Sequence, residues 1–145
     1  MKSKLLSDAE GLRTFVCVLE TGEEAMTSLK GFIEEEKVQA AHLTAIGAFS
    51  AAVLGFFDWE TKDYNKIKVG EQVEVASLLG DVALSPSGEP SLHIHAVLGK
   101  RDGSALAGHL FNATTRPTLE VILTETPAHL RKQKDPESGL ALIRP

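Results

Sequence analysis

Apolar and polar positions alternate along most of this chain and switch to a helical spacing once. "RTFVCVLET" (residues 13–21) is rich in β-branched and aromatic residues and reads as a strand. In "TGEEAMTSLKGFIEEEKV" (21–38), Ala25, Met26, Leu29, Phe32 and Ile33 recur at helical spacing and predict one amphipathic helix. Thr21 with Glu24 three residues on has the pattern of a capping box at its start. Glu34, Glu35 and Glu36 read as a solvated surface. Short apolar segments follow: "AAHLTAIGAF", "AAVLGFFDW", "EQVEVASLLGDVAL", "SLHIHAVLG", "SALAGHLF", "TLEVILTE" and "GLALIRP". Turn residues such as "SPSGEP" (85–90) separate them. The pattern predicts an α+β fold: a mainly antiparallel sheet of about seven or eight strands carrying one principal helix. The polar stretch "PAHLRKQKDPESG" (127–139) reads as a surface loop before a last strand.

Composition narrows the classes. At 145 residues, with 43% hydrophobic and 24% charged positions, the chain is expected to be one globular domain over 1–145. No apolar run approaches the ~20 residues of a membrane helix, and "MKSKLLSDAEGLRTF" lacks the features of a signal peptide. The single cysteine, Cys17, cannot form an internal disulfide and reads as a small buried residue. A cytoplasmic location is the corresponding expectation. The formal net charge is −5. Nucleic-acid binding draws much of its affinity from cations set against phosphates, and Lys100–Arg101 and "LRKQK" are the only short basic groupings, without interleaved aromatics. Direct DNA binding by this chain alone is therefore disfavoured.

The chemistry concentrates in "SLHIHAVLGKRDGSALAGHLF" (91–111), which holds three of the five histidines. Alternate strand residues share a face, so His93 and His95 point one way and Ile94, Ala96 and Leu98 the other. Arg101-Asp102-Gly103 suits a three-residue hairpin loop closed by a left-handed glycine. That register sets Lys100 opposite Ser104 and His95 opposite His109, so that His93, His95 and His109 meet on one face. A two-residue loop would turn His109 to the other face. Gly108 leaves room beside His109 for a close neighbour. Three neutral imidazoles with an open fourth position suit zinc or a similar divalent ion. The same residues also fit a polar sheet face whose histidines bond to one another, to water or to carboxylates.

Other positions offer less. Glu120 interrupts an apolar strand, and could orient a histidine from behind or act as a general base; a surface or interface ion pair is the competing reading. Asp58 and Trp59 end a strand and read as rim residues. His42 and His129 read as structural or exposed. No P-loop, nucleophile elbow or dinucleotide fingerprint is present.

The segments "GAFSAAVLGFFDWE", "EVASLLGDVAL", "PSLHIHAVLGKRDGSALAGHLF" and "PTLEVILTE" resemble, in order over nearly the whole chain, the plant-and-prokaryote-conserved (PPC or PCC) domain. The resemblance implies an antiparallel sheet with a packed helix and a homotrimer; in some prokaryotic members the equivalents of His93, His95 and His109 are placed to bind a metal ion. In plants the domain follows an AT-hook, and that basic motif grips the DNA minor groove. Stand-alone prokaryotic members carry a DNA-binding label by association. This chain has no AT-hook. Where plant members have Gly-Arg-Phe-Glu-Ile-Leu it has "EQVEVA" (71–76), sharing only Glu74, so the plant segment's role in contacting nuclear proteins does not carry over. Three functions remain in view: a trimeric binding or regulatory protein with a histidine metal site, a metal-dependent enzyme acting on a small molecule, and a DNA-associated protein. Apolar residues on both faces of "AAVLGFF" and "LEVIL" support the trimer independently, because one helix can cover only part of the sheet.

Overall fold

The computed structural model describes residues 1–127 and 130–144, and among these are nine strands and one α-helix. A hairpin of β1 (Lys2–Ala9) and β2 (Leu12–Glu20) leads into α1 (Ala25–Glu35). The chain continues through β3 (Ala41–Asp58), β4 (Asp63–Val69), β5 (Val73–Leu84), β6 (Pro90–Gly99) and β7 (Ala105–Glu125). It finishes with β8 (Arg131–Lys134) and β9 (Ala141–Arg144). The sheet order is β1-β2-β7-β3-β5-β8-β9, with β4 beside β3 and β6 joining β5 to β7. Every pairing is antiparallel except a single parallel bridge from Leu84 to Arg131. Strands β3, β5, β6 and β7 pair in a closed ring, which gives the sheet its strong bend.

The α+β expectation holds, but the strand count is nine rather than seven or eight. Two pairs of expected strands are each one long strand. "AAHLTAIGAF" and "AAVLGFFDW" both lie in β3, while "SALAGHLF" and "TLEVILTE" both lie in β7. The residues that suggested turns are register shifts instead. Gly47 has φ of 149° at the shift between Ala45 and Gly47, and Pro117 falls where the β3–β7 pairing lapses. Three strands carry no clear apolar pattern. β1 is exposed throughout and β4 largely so, and "LRKQK", expected as a solvated loop, supplies β8.

Helix α1 buries Ala25, Met26, Leu29, Phe32 and Ile33, the five residues whose spacing predicts it. Their side chains pack on the sheet; Phe32 meets Phe15 of β2 edge-to-face with ring centroids 5.2 Å apart. The cap differs from expectation. Glu24 itself is the N-cap, its carboxylate accepting from the backbone N–H of Met26 (3.1 Å) and Thr27 (2.7 Å). A third bond, from the Ala113 N–H (3.0 Å), ties the cap to β7. Thr21 is drawn away, its hydroxyl donating to the Pro117 carbonyl. Of the three glutamates expected at the surface, Glu34 and Glu35 are exposed, whereas Glu36 receives the Arg13 guanidinium at 2.8 Å.

The core lies between α1 and the concave face of the sheet. Leu19, Leu43, Phe49, Leu98, Leu110, Leu119 and Leu123 are fully enclosed there. Cys17 is among them, and burial, with the Glu36 charge adding, pushes its thiol up to about 11, so it is an inert core residue. The opposite face is uncovered: Ile46, Leu79 and Ile122 are 63%, 58% and 41% exposed. No helix among the described residues is long and apolar enough to cross a membrane.

Candidate metal centre

The histidine hairpin forms in the expected register. Gly103 has φ of 85°, its N–H bonds the Lys100 carbonyl at 3.0 Å, and the Lys100 N–H bonds the Ser104 carbonyl at 2.8 Å. Asp102 stiffens the loop by accepting from the Ser104 N–H and hydroxyl. Beyond it, Gly99 pairs with Ala105 and His95 with His109. The even positions Ile94, Ala96 and Leu98 are buried. That burial holds the odd positions, His93 and His95, on the opposite face.

His93, His95 and His109 each present one ring nitrogen, and these three atoms lie within 4.8 Å of one another. The ring centroids are 5.0 Å apart for His93 and His95, 5.2 Å for His93 and His109, and 5.6 Å for His95 and His109. His109 is wedged between Phe111 and Tyr64, at 4.9 and 5.2 Å. Its neighbour Gly108 explains the close approach of β3 and β7. A Cβ on Gly108 would stand 2.6 Å from the Gly55 carbonyl oxygen, a distance no side chain tolerates.

Burial keeps His109 neutral and favours the neutral form of His95. Burial, then the nearby His93, His95 and Lys132 charges, push His109 down to about 4, so it is an unprotonated imidazole at neutral pH. Desolvation and His93 also lower His95. Neutral imidazole is the form that ligates a metal. The Nδ1 atom of His109 is buried with no hydrogen-bond partner. A buried ring nitrogen left unpaired is costly unless something else occupies it, and a three-imidazole donor set fits a divalent ion such as zinc.

The carboxylate at this site is Asp81, which the sequence reading missed. Asp81 stands opposite His93 across β5 and β6, with Oδ2 3.3 Å from His93 Nδ1. Behind it comes Lys132 of β8, 3.1 Å from Asp81 Oδ1 and only 5% exposed. Burial opposes ionisation of Asp81, but the His93 hydrogen bond and the Lys132 charge outweigh it and hold the carboxyl below its usual range. Asp81 breaks the alternation of "EVASLLGDVAL", and the cross-strand count from the "SPSGEP" turn to His93 is the signal that could have found it. Lys132 had no local signal.

The remaining expected residues fall elsewhere. Glu120 pairs with Val18 and Ile46 and borders a separate depression on the uncovered face with Ile122 and Leu79. It does not line the histidine cavity. Asp58 closes the β3–β4 turn by accepting from the N–H groups of Glu60 and Thr61, and Trp59 lies under the Lys62 ammonium. His42 is exposed on β3, and His129 lies outside the described residues.

A cavity of about 560 Å³ opens beside the histidines. Asp81, Ser91 and Lys132 adjoin them, and the hairpin of β8 and β9 supplies an apolar wall through Leu140, Leu142 and Ile143.

Comparison with known proteins places the fold. No curated protein matches the chain. Solved structures do. A metal-containing protein from Archaeoglobus fulgidus is 35% identical, with a TM-score of 0.83 over 91% of this chain and 93% of that one. A plant- and prokaryote-conserved (PPC) protein from Pyrococcus horikoshii is 30% identical, with a TM-score of 0.84 over 99% and 95%. A third, from Bacteroides thetaiotaomicron and described as a candidate DNA-binding protein, is 25% identical, with a TM-score of 0.89 over 99% and 96%. Residues 6–127 match the Plants and Prokaryotes Conserved (PCC) domain, and with that match covering most of its length the chain belongs to this family.

Proposed function

We propose that residues 1–145 form one PCC domain that works as a homotrimeric metal-binding protein of regulatory or ligand-binding type. His93, His95 and His109 hold a divalent ion, zinc being the natural choice for three imidazoles. The observation that carries this reading is the convergence of three ring nitrogens within 4.8 Å. The unpaired Nδ1 of buried His109 supports it. Asp81 occupies Nδ1 of His93, which leaves Nε2 to ligate and fixes the ring. When bound, the ion would supply a Lewis-acidic position open to the cavity. The metal-containing relative at 35% identity agrees with this reading.

The trimer rests on the uncovered apolar face around Ile46, Leu79 and Ile122, which needs a partner. Strong direct contact with DNA does not suit a chain of net charge −5. A metal-dependent enzyme is the second reading, favoured by the cavity that adjoins the histidines.

Elemental analysis of the purified protein, with His93→Ala and His109→Ala beside it, tests the metal site. Near-stoichiometric metal in the wild type and its loss from both variants is the expected result. Equally low content in all three across a zinc titration would overturn it. In a gel shift at physiological salt we expect no micromolar binding; a tight complex with a steep salt dependence would restore the DNA reading.

A further inference from the structure

Resting on the metal reading above, we propose that the cavity beside the histidines binds small amphipathic carboxylates, the carboxylate directed at Lys132 and the histidine cluster and the alkyl tail lying on the β9 wall. The charge count points to an anion. The three imidazoles are neutral ligands, and Asp81 and Lys132 cancel each other. A divalent ion on the histidines therefore leaves two uncompensated positive charges facing a half-enclosed cavity. Such charge is costly to leave without a counter-ion.

Lys132 supplies the second argument. Its side chain is 5% exposed, an unusual place for an ammonium. It donates to the Ser91 carbonyl at 3.2 Å. It also pairs with Asp81 Oδ1 at 3.1 Å. An ammonium has three N–H donors, so with Ser91 and Asp81 served, one donor has no partner among the described residues. A carboxylate oxygen in the cavity would use it.

The shape of the lining decides the ligand class. The lining combines the polar Asp81, Lys132 and histidines with the apolar Leu140, Leu142 and Ile143 of the β8–β9 hairpin. One charged head and one apolar tail match that combination. A phosphoryl group fits less well, because among the described residues no arginine fork and no glycine-rich nest of N–H groups lines the cavity.

The test uses the full chain loaded with cobalt(II), whose visible spectrum reports a change of ligand. Acetate, butanoate, hexanoate, hexan-1-ol and inorganic phosphate are titrated in turn, with heats measured in parallel. Hexanoate should shift the spectrum and bind about tenfold tighter than butanoate, as two buried methylenes imply. Hexan-1-ol and phosphate should bind at least about tenfold more weakly than hexanoate. Lys132→Gln, compared with the wild type once both are saturated with cobalt, should lose about tenfold in hexanoate affinity. Leu142→Ser, at a more exposed position, should keep cobalt and flatten the dependence on chain length. Cobalt uptake without saturable carboxylate binding, or tighter binding of phosphate, would overturn this proposal while leaving the metal site standing. Failure to take up cobalt would overturn both.

Discussion

Asp81 and His93 face each other across β5 and β6, with the carboxylate Oδ2 3.3 Å from the imidazole Nδ1. That pairing makes Asp81, on the second strand of the site, the residue that sets the tautomer and orientation of His93. Removing such an outer partner of a metal ligand weakens metal binding by about 10- to 100-fold. Asp81→Asn should show a loss of that size in a chelator competition for zinc. Glu120→Gln, on the other face of the sheet, should leave the affinity unchanged.

Gly108 and Gly55 lie at the closest approach of β7 and β3. In Gly108→Ala the new Cβ would press against the Gly55 carbonyl oxygen at 2.6 Å. Both partners are backbone in paired strands and cannot turn aside. Overpacking of this kind costs about 1–3 kcal/mol. Because His109 is the next residue, the variant should lose metal as well as stability. Thermal unfolding read together with metal content checks both effects.

Arg13 clamps Glu125 with Nε and Nη2, at 2.9 and 2.8 Å from the two carboxylate oxygens, and also reaches Glu36. The hydrogen bond from Arg13 holds the Glu125 carboxyl below its ordinary value of 4.5. Between the lowered folded value and 4.5 the unfolded chain binds the extra proton, so stability rises with pH there. The contribution is complete above about pH 4.5 and is lost as pH falls through the folded value. Arg13→Gln should flatten this segment of the acid-unfolding curve. It should also cost about 1–3 kcal/mol at neutral pH, because Glu125 keeps its charge and loses its partner. Urea unfolding at a series of pH values measures both.

Ile46 is 63% exposed on the uncovered face, near Leu79 and Ile122. Ile46→Asp should change the stability of one protomer by no more than about 0.5 kcal/mol. In a trimer built on this face it should bring the mass seen in light scattering down to that of a monomer. A wild-type monomer at micromolar concentration would rule the trimer out.

The hairpin of β6 and β7 was legible because every step in it is local. Alternation assigns the faces, Arg101-Asp102-Gly103 chooses the loop, and the loop fixes the register of His95 against His109. The helix was legible for the same reason, through five apolar residues at one spacing. Its cap was not. Thr21 satisfies the local rule, but contacts with β7 move the cap to Glu24: the Ala113 N–H binds Glu24 and the Pro117 carbonyl accepts from the Thr21 hydroxyl. The long strands β3 and β7 looked like pairs because glycine and proline mark bulges and turns alike.

By itself the sequence determined the α+β class, the helix, the buried faces of the strands and the meeting of His93, His95 and His109. Those features follow from period, turn chemistry and short-range pairing. Only the tertiary structure decided what surrounds the histidines. Asp81 arrives from β5, Tyr64 from β4 and Lys132 from a strand that reads as a polar loop. Glu120 goes to the uncovered face, because the strand that carries both it and His109 bends and changes partners between them. Side-chain alternation is written along a strand, but the partners of a site are set by which strands the closed ring brings together.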